Sequence, residues 1–446
     1  MKKFQVIVIG SGPAGSGIAH KCAKEGKKVA VIDKEFGGTC ALKGCTPKKV
    51  LAVSSEILRY ACHLNGKGVK DVNVELDWGS LMHFKRSFTE LTPMHTKEGF
   101  KKAGIEVIEG AAQFVNNNTL EVNGEQYEAE HIAIATGAVA AELPIEGYEH
   151  LITSDELLEL DKVPKRVAFV GGGYIAFEFA QILKKCGCEV TLLEAADQPL
   201  SGFDPFLASR LIESFQMDNL EVRTGIQVEK IEKQEDEFVI SGKHSAGELE
   251  VRCDLAIHGA GRMPNIAQLH LENADIAFSK KGITVNDHLQ SVSNSMIYAA
   301  GDVADTGYPF TLVADYEGRI VANNIFDADK QKSSYMGVPF VLFTNPKMAS
   351  VGKSEEELIA NKVKYEKKQA DTSHWLIARS LQENVSGYKV LIGEKGKILG
   401  AHLVGPKADE VINGFAMAMQ HNLSVNDLKK TFLSYPSAFA EIRKMI

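Results

Sequence analysis

Two groups of residues in this 446-residue chain could do chemistry. The first is a cysteine pair, Cys40 and Cys45, with four residues between them, following Gly37-Gly38-Thr39 and preceding Pro47-Lys48-Lys49. Sulfur attacks and exchanges as the thiolate, so a working pair needs surroundings that depress a thiol pKa. The spacing alone assigns no chemistry. The second group consists of glycines and acids in two stretches that resemble each other, residues 4–33 and 166–194. Each runs from a short apolar segment through a glycine cluster and a helical stretch to a second apolar segment ending in an acid. In the first the residues are Gly10, Gly12, Gly15 and Asp33. In the second they are Gly171, Gly173, Ala176 in the third-glycine slot, and Glu194.

The elements around these glycines specify their use. Continuous Val/Ile runs read as parallel strands buried on both faces. The glycines permit a tight turn and close backbone approach to a pyrophosphate, and the next helix presents its positive end to that anion. The closing acid can accept hydrogen bonds from a ribose hydroxyl. Two complete strand–turn–helix–strand units predict two dinucleotide sites. At the second, Glu194 favours a free 2′-hydroxyl, and 195–203 holds no basic residue to receive a 2′-phosphate. NADH is therefore expected over NADPH.

The chain is long enough for about three domains. A net charge of −8 argues against nucleic acid as partner. No apolar run reaches the roughly 18 residues of a membrane helix. The opening apolar run breaks at Gly10-Ser11-Gly12-Pro13 and reads as a strand, not an export signal. Seven cysteines in an acidic chain do not make a secreted disulfide framework. Those outside the 40/45 pair, Cys186 and Cys188 included, are expected to be buried and inert, with no metal site. A cytoplasmic protein is expected.

Lying directly after the first nucleotide unit, the segment 37–49 resembles the redox centre of class I pyridine nucleotide-disulfide oxidoreductases, the family of glutathione reductase, dihydrolipoamide dehydrogenase and mercuric reductase. The resemblance spans essentially the whole chain. Ala135-Thr136-Gly137 matches the family's ATG segment, Gly261-Arg262-Met263-Pro264-Asn265 its GRxPN segment, and Tyr298-Ala299-Ala300-Gly301-Asp302 its second FAD motif.

This resemblance implies an α/β fold with two Rossmann-like domains and an α+β dimerisation domain. The expected boundaries are an FAD domain over 1–150, an NAD domain over 151–265 opened by Thr153-Ser154-Asp155, a central segment over 266–336 completing the FAD domain, and an interface domain over 337–446. It implies a homodimer with an active site shared across subunits. FAD contacts are implied for Gly10, Gly12, Pro13, Ala14, Gly15, Asp33, Lys34, Gly38, Thr39, Lys48, Ala135, Thr136, Gly137, Arg262, Gly301 and Asp302. NAD contacts are implied for Gly171, Gly173, Tyr174, Ile175, Glu178, Glu194 and Gly261.

Chemistry is implied as well. Hydride passes from nicotinamide to flavin, and electrons then enter the Cys40–Cys45 disulfide. Cys45 is the charge-transfer thiol nearer the flavin, and Cys40 the interchange thiol nearer solvent. Lys48 stands beside flavin N5 with Glu178 as its ion-pair partner, and the glutamate offsets the cost of a buried lysine. Tyr174 covers the flavin until nicotinamide displaces it. The helix beginning near Thr311 aims its N-terminus at the flavin.

The sequence departs from the family at one catalytic position. Where the disulfide reductases carry a His-Pro-Thr segment with a glutamate five residues after the histidine, this chain has Ser434-Tyr435-Pro436-Ser437, with Ala440 in the glutamate slot and Glu441 one residue late. Tyrosine, with an ordinary pKa near 10, is a poor base at neutral pH but can donate a hydrogen bond. Slow turnover of glutathione or lipoamide is expected, with a disulfide, inorganic or electrophilic acceptor in their place. The last cysteine of this sequence is Cys253, so neither the C-terminal cysteine pair of mercuric reductases nor a redox-active tail is expected. Pro13 and His20 stand where glutathione reductases have serine and arginine. The alternatives are an NADH oxidase, peroxidase or metal-ion reductase on the same centre, and a non-catalytic redox sensor.

Overall fold

The computed structural model describes residues 1–70, 72, 74–327 and 330–446. The chain divides into two compact units. One comprises Met1–Lys48, His83–Ala141 and Arg262–Ser334, and the other Lys49–Met82, Glu142–Gly261 and Tyr335–Ile446.

The first unit is built on a seven-stranded sheet. Its parallel part places Glu106–Glu109, Val29–Asp33, Lys2–Ile9, Glu125–Ile134 and Ile297–Ala299 side by side, and two antiparallel strands, Thr119–Val122 and Gln113–Asn116, extend it. The Val/Ile runs are buried because helices cover the sheet. Val6, Ile7 and Val8 are fully enclosed, odd and even positions alike. The helix Pro13–Lys24 follows the first strand, and Thr311–Asn324 packs against it so closely that a Cβ on Gly318 would lie 2.6 Å from the Ala14 carbonyl oxygen.

The second unit holds three sheets. A parallel sheet orders Glu221–Arg223, Glu189–Leu193, Arg166–Val170 and Leu255–His258, with the helix Tyr174–Lys185 between its central strands. An antiparallel meander follows over 227–253. A five-stranded antiparallel sheet over 339–405 packs against the helix Ala408–Gln420. The helix Glu355–Ala360 starts at Ser354 with a full capping box, and its first acid, Glu355, is not solvated. Only 14% of its side chain is exposed, and it pairs with Lys367 and Lys389, which hold its carboxyl down at about 2.

The second unit also explains its alanine in the third-glycine slot. Ala176 is fully buried, and the facing residue is Gly259, where a Cβ would stand 2.8 Å from the Ala176 methyl. The small residue has moved across the contact, so the backbones still approach.

Candidate functional site

In the first unit the glycine loop is closed by its own polar residues. Asp33, at the end of the second strand, accepts the Ser11 N–H at 2.6 Å and the Ser11 hydroxyl at 2.7 Å through Oδ2. Ser11 Oγ in turn accepts the Gly37 N–H at 2.9 Å, tying the turn to Gly37-Gly38. The other carboxylate oxygen, Oδ1, accepts the Glu35 N–H at 3.2 Å and keeps acceptor capacity for a ribose hydroxyl. The helix Pro13–Lys24 starts at Gly12 with no side-chain cap, so its first N–H groups face the turn without an internal partner. A Cβ on Gly38 would stand 2.4 Å from the Gly12 Cα, so the two loops touch through bare backbone. Uncapped N–H groups and side-chain-free backbone beside a carboxylate fit a dinucleotide such as FAD.

The later motifs converge on this unit. The Asn265 N–H donates to the Gly137 carbonyl at 2.9 Å, Thr136 Oγ1 donates to the Asn265 carbonyl at 2.8 Å, and Arg262 donates to the Ala138 carbonyl. The Gly301 N–H donates to fully buried Glu317 at 2.6 Å. Burial raises the Asp302 carboxyl, with Arg262 pulling the other way. Lys34 lies exposed and bonded to Gln268.

The cysteines lie in the same unit. Cys40 sits in the short helix Gly38–Leu42, and Cys45 is the first residue of the 19-residue helix Cys45–His63. Their thiols hydrogen-bond to each other, and Cys45 Sγ lies 3.1 Å from Thr311 Oγ1. Cys45 is lowered to about 6, foremost by the Cys40 S–H, then by Thr311 and the Lys48 charge, against burial. Cys40 is pushed upward by the same bond and by burial. The two thiols titrate as a pair, and the surroundings favour negative charge on Cys45, which also gains from its helix N-terminus. Four other cysteines, Cys22, Cys186, Cys188 and Cys253, are raised by burial to between about 11 and about 12. That is the electrostatics of inert thiols, whereas Cys62 is exposed near the end of the helix Cys45–His63 and does not share the expected burial. Cys45 is an exposed residue and Cys40 a half-buried one.

In the second unit a cavity of about 480 Å³ opens over the glycine loop 171–173, lined by Glu194, Tyr174, Gln198, Phe203 and Phe340 among others. Glu194 accepts the Gly172 N–H through one oxygen and the Ala196 N–H at 2.8 Å through the other. The helix Tyr174–Lys185 starts at Gly173 without a side-chain cap, as in the first unit. Tyr174 is 44% exposed on the cavity wall. Among the described residues the lining contains no lysine, arginine or histidine, and Glu194 is its only charged group. Gly261 belongs to the lining, whereas Ile175 packs half-buried against the core. Glu178 is only 3% exposed, and its Oε1 accepts the Phe343 N–H at 2.7 Å.

Tyr435 is 83% exposed in the segment before the last helix. Glu441, one residue beyond the slot of the family glutamate, is half-buried with Oε1 unpartnered and its carboxyl raised by burial. Ser11, Glu317 and the Thr311 hydroxyl were not picked out from the sequence as site residues. Only Ser11, a polar residue between two motif glycines, carried any local signal.

Residues 4–318 match the family model of pyridine nucleotide-disulphide oxidoreductases, and residues 338–446 match that family's dimerisation domain. The chain belongs to this family. It is 33% identical to a mercuric reductase of Staphylococcus aureus over 97% of this chain and 80% of the relative. It is 31% identical to a glutathione reductase of Burkholderia cepacia over 98% and 97% respectively. Among solved structures it superposes on the HOCl-induced flavoprotein disulfide reductase RclA from Escherichia coli, in its Cu(II) complex. That match has a TM-score of 0.88 and 27% identity, and covers 100% of this chain and 99% of the other. Members of this oxidoreductase family depend on FAD and use pyridine nucleotides. Among the described residues no helix is long and apolar enough to cross a membrane.

Proposed function

We propose that this family member is an NADH-dependent flavoprotein reductase whose Cys40–Cys45 pair hands electrons to a thiophilic or acidic-leaving-group acceptor. The observation that carries the reading is the cysteine pair itself, two hydrogen-bonded thiols with Cys45 at a helix N-terminus and 3.1 Å from the Thr311 hydroxyl. Bound FAD supplies the two-electron relay between dihydronicotinamide and the sulfur pair. Cys45 would be the charge-transfer thiol toward that ring, and Cys40 the interchange thiol. Gly12, Asp33, Gly38 and Asp302 hold the dinucleotide, and Tyr174 guards the nicotinamide cavity. The family's dimerisation domain supports a homodimer.

Overall, NADH, a proton and a disulfide RSSR give NAD⁺ and two thiols. Within the chain, reduction breaks the Cys40–Cys45 bond, and one proton and two electrons leave Cys45 as thiolate and Cys40 as thiol. Cys40 becomes nucleophilic when its proton shifts along their shared hydrogen bond to Cys45. It then attacks the acceptor sulfur, and Cys45 closes the disulfide again. With Tyr435 in the histidine slot, the imidazole that would protonate a departing basic thiol is replaced by a phenol, so glutathione and lipoamide turn over slowly. A metal ion needs no such proton, because it binds both sulfurs with loss of their protons. The mercuric reductase relative and the Cu(II) complex of RclA favour this second reading, in which NADH and M²⁺ give NAD⁺, H⁺ and M⁰, or two M²⁺ give two M⁺.

Anaerobic titration with NADH tests the reading. The flavin should bleach and a long-wavelength absorbance appear. NADPH should be at least about tenfold less effective in kcat/KM, the size of one adverse charge contact at Glu194. Purified protein without flavin, or vigorous glutathione disulfide turnover, would refute it.

A further inference from the structure

Two helix N-termini meet at one sulfur. Cys45 begins Cys45–His63 and Thr311 begins Thr311–Asn324, with 3.1 Å between Sγ and Oγ1. Phe310, the residue that enters the second helix, brings no side-chain cap, so the Thr311 hydroxyl is the polar group this helix delivers to the pair. The groups facing Cys45 are Cys40 from the preceding turn, Lys48 from its own helix and Thr311 from the facing one. They differ in kind. The Lys48 charge acts without direction, and the Cys40 proton is displaced by the chemistry itself. Thr311 is a neutral donor held by a separate element that packs against the Pro13–Lys24 helix at Gly318. A hydroxyl has one proton and gives it to one acceptor at a time.

We propose that Thr311 is a positioning residue of the dithiol, its hydroxyl donating to the Cys45 thiolate and so keeping the reduced pair a monoanion near neutral pH. The same hydroxyl also reaches Cys40, and can therefore follow the charge when the shared proton moves. This rests on the reading of Cys40 and Cys45 as the redox centre.

The test compares wild-type, Thr311→Val and Thr311→Ser holoenzymes in two measurements. One is the pH midpoint of the long-wavelength absorbance after anaerobic reduction by NADH. The other, independent of the flavin, is the pH dependence of iodoacetamide labelling of Cys45 in dithiothreitol-reduced protein, located by peptide mass. Thr311→Val should raise both midpoints by about one unit, and Thr311→Ser should stay within about 0.3 unit of wild type. Unmoved midpoints in Thr311→Val would overturn the proposal. So would a serine variant that shifts as far as the valine one, because the methyl group would then be responsible. Reduced FAD content with unmoved midpoints would show a packing role only, and would also overturn it. If wild type shows no long-wavelength absorbance, the redox-centre reading fails, while the labelling measurement still decides the role of Thr311.

Discussion

Cys45→Ser should retain hydride uptake from NADH yet lose acceptor turnover by a factor of about 10³ or more, because no second sulfur remains to close the disulfide. Stopped-flow mixing with NADH should bleach the flavin at close to the wild-type rate, without the long-wavelength absorbance. Steady-state assays with disulfide or metal-ion acceptors should fall to background. The electrostatics sharpen the expectation. Cys45 carries the negative charge of the reduced pair, at a pKa of about 6. The lowered value means that thiolate is present above that pH and is lost as pH falls through it, so wild-type absorbance should fade on acidification. A serine hydroxyl does not ionise in this range, so the variant's spectrum should not respond. If Cys45→Ser turns acceptor over as wild type does, electrons leave by another route, as in an oxidase.

Gly10→Ala should be the most damaging single-atom addition at the first nucleotide unit. Gly10 has φ +106°, and its Cβ would lie 2.2 Å from the carbonyl oxygen of Ala135, the residue just past the strand Glu125–Ile134, whose N–H is bonded to the Ile9 carbonyl. Left-handed backbone strain and an overpacked contact each cost about 1–3 kcal/mol, so a loss of roughly 3–5 kcal/mol is expected. Thermal unfolding should show a lower Tm, and gel filtration should yield protein with far less bound FAD. Gly17→Ala is the control, since a Cβ there meets nothing within 4 Å. Equal Tm and FAD content in the two variants would sink the argument that close backbone approach builds this site.

Much of the architecture is local enough to read from residue order. Continuous Val/Ile segments beside glycine clusters can only be buried strands leading into helices, because both the burial and the turn are satisfied within about thirty residues. The two nucleotide units, their closing acids and the carboxylate character of the second site follow from that. The substitution of Tyr435 for a histidine is likewise a matter of residue identity.

Other features depend on contacts between residues far apart in the chain. Gly259 makes room for Ala176 from 83 positions away, which no reading of the glycine motif alone could supply. Glu355 reads as a solvated helix start, yet Lys389 and Lys367 from two strands enclose it. Thr311 reaches Cys45 across 266 residues of sequence, and that contact helps separate two otherwise similar thiols. Thiol acidity depends on the donors and charges within a few ångströms, and packing chooses those neighbours. Residue type and spacing thus supplied the nucleotide sites and the presence of a sulfur pair, while only the folded arrangement could decide which sulfur holds the charge.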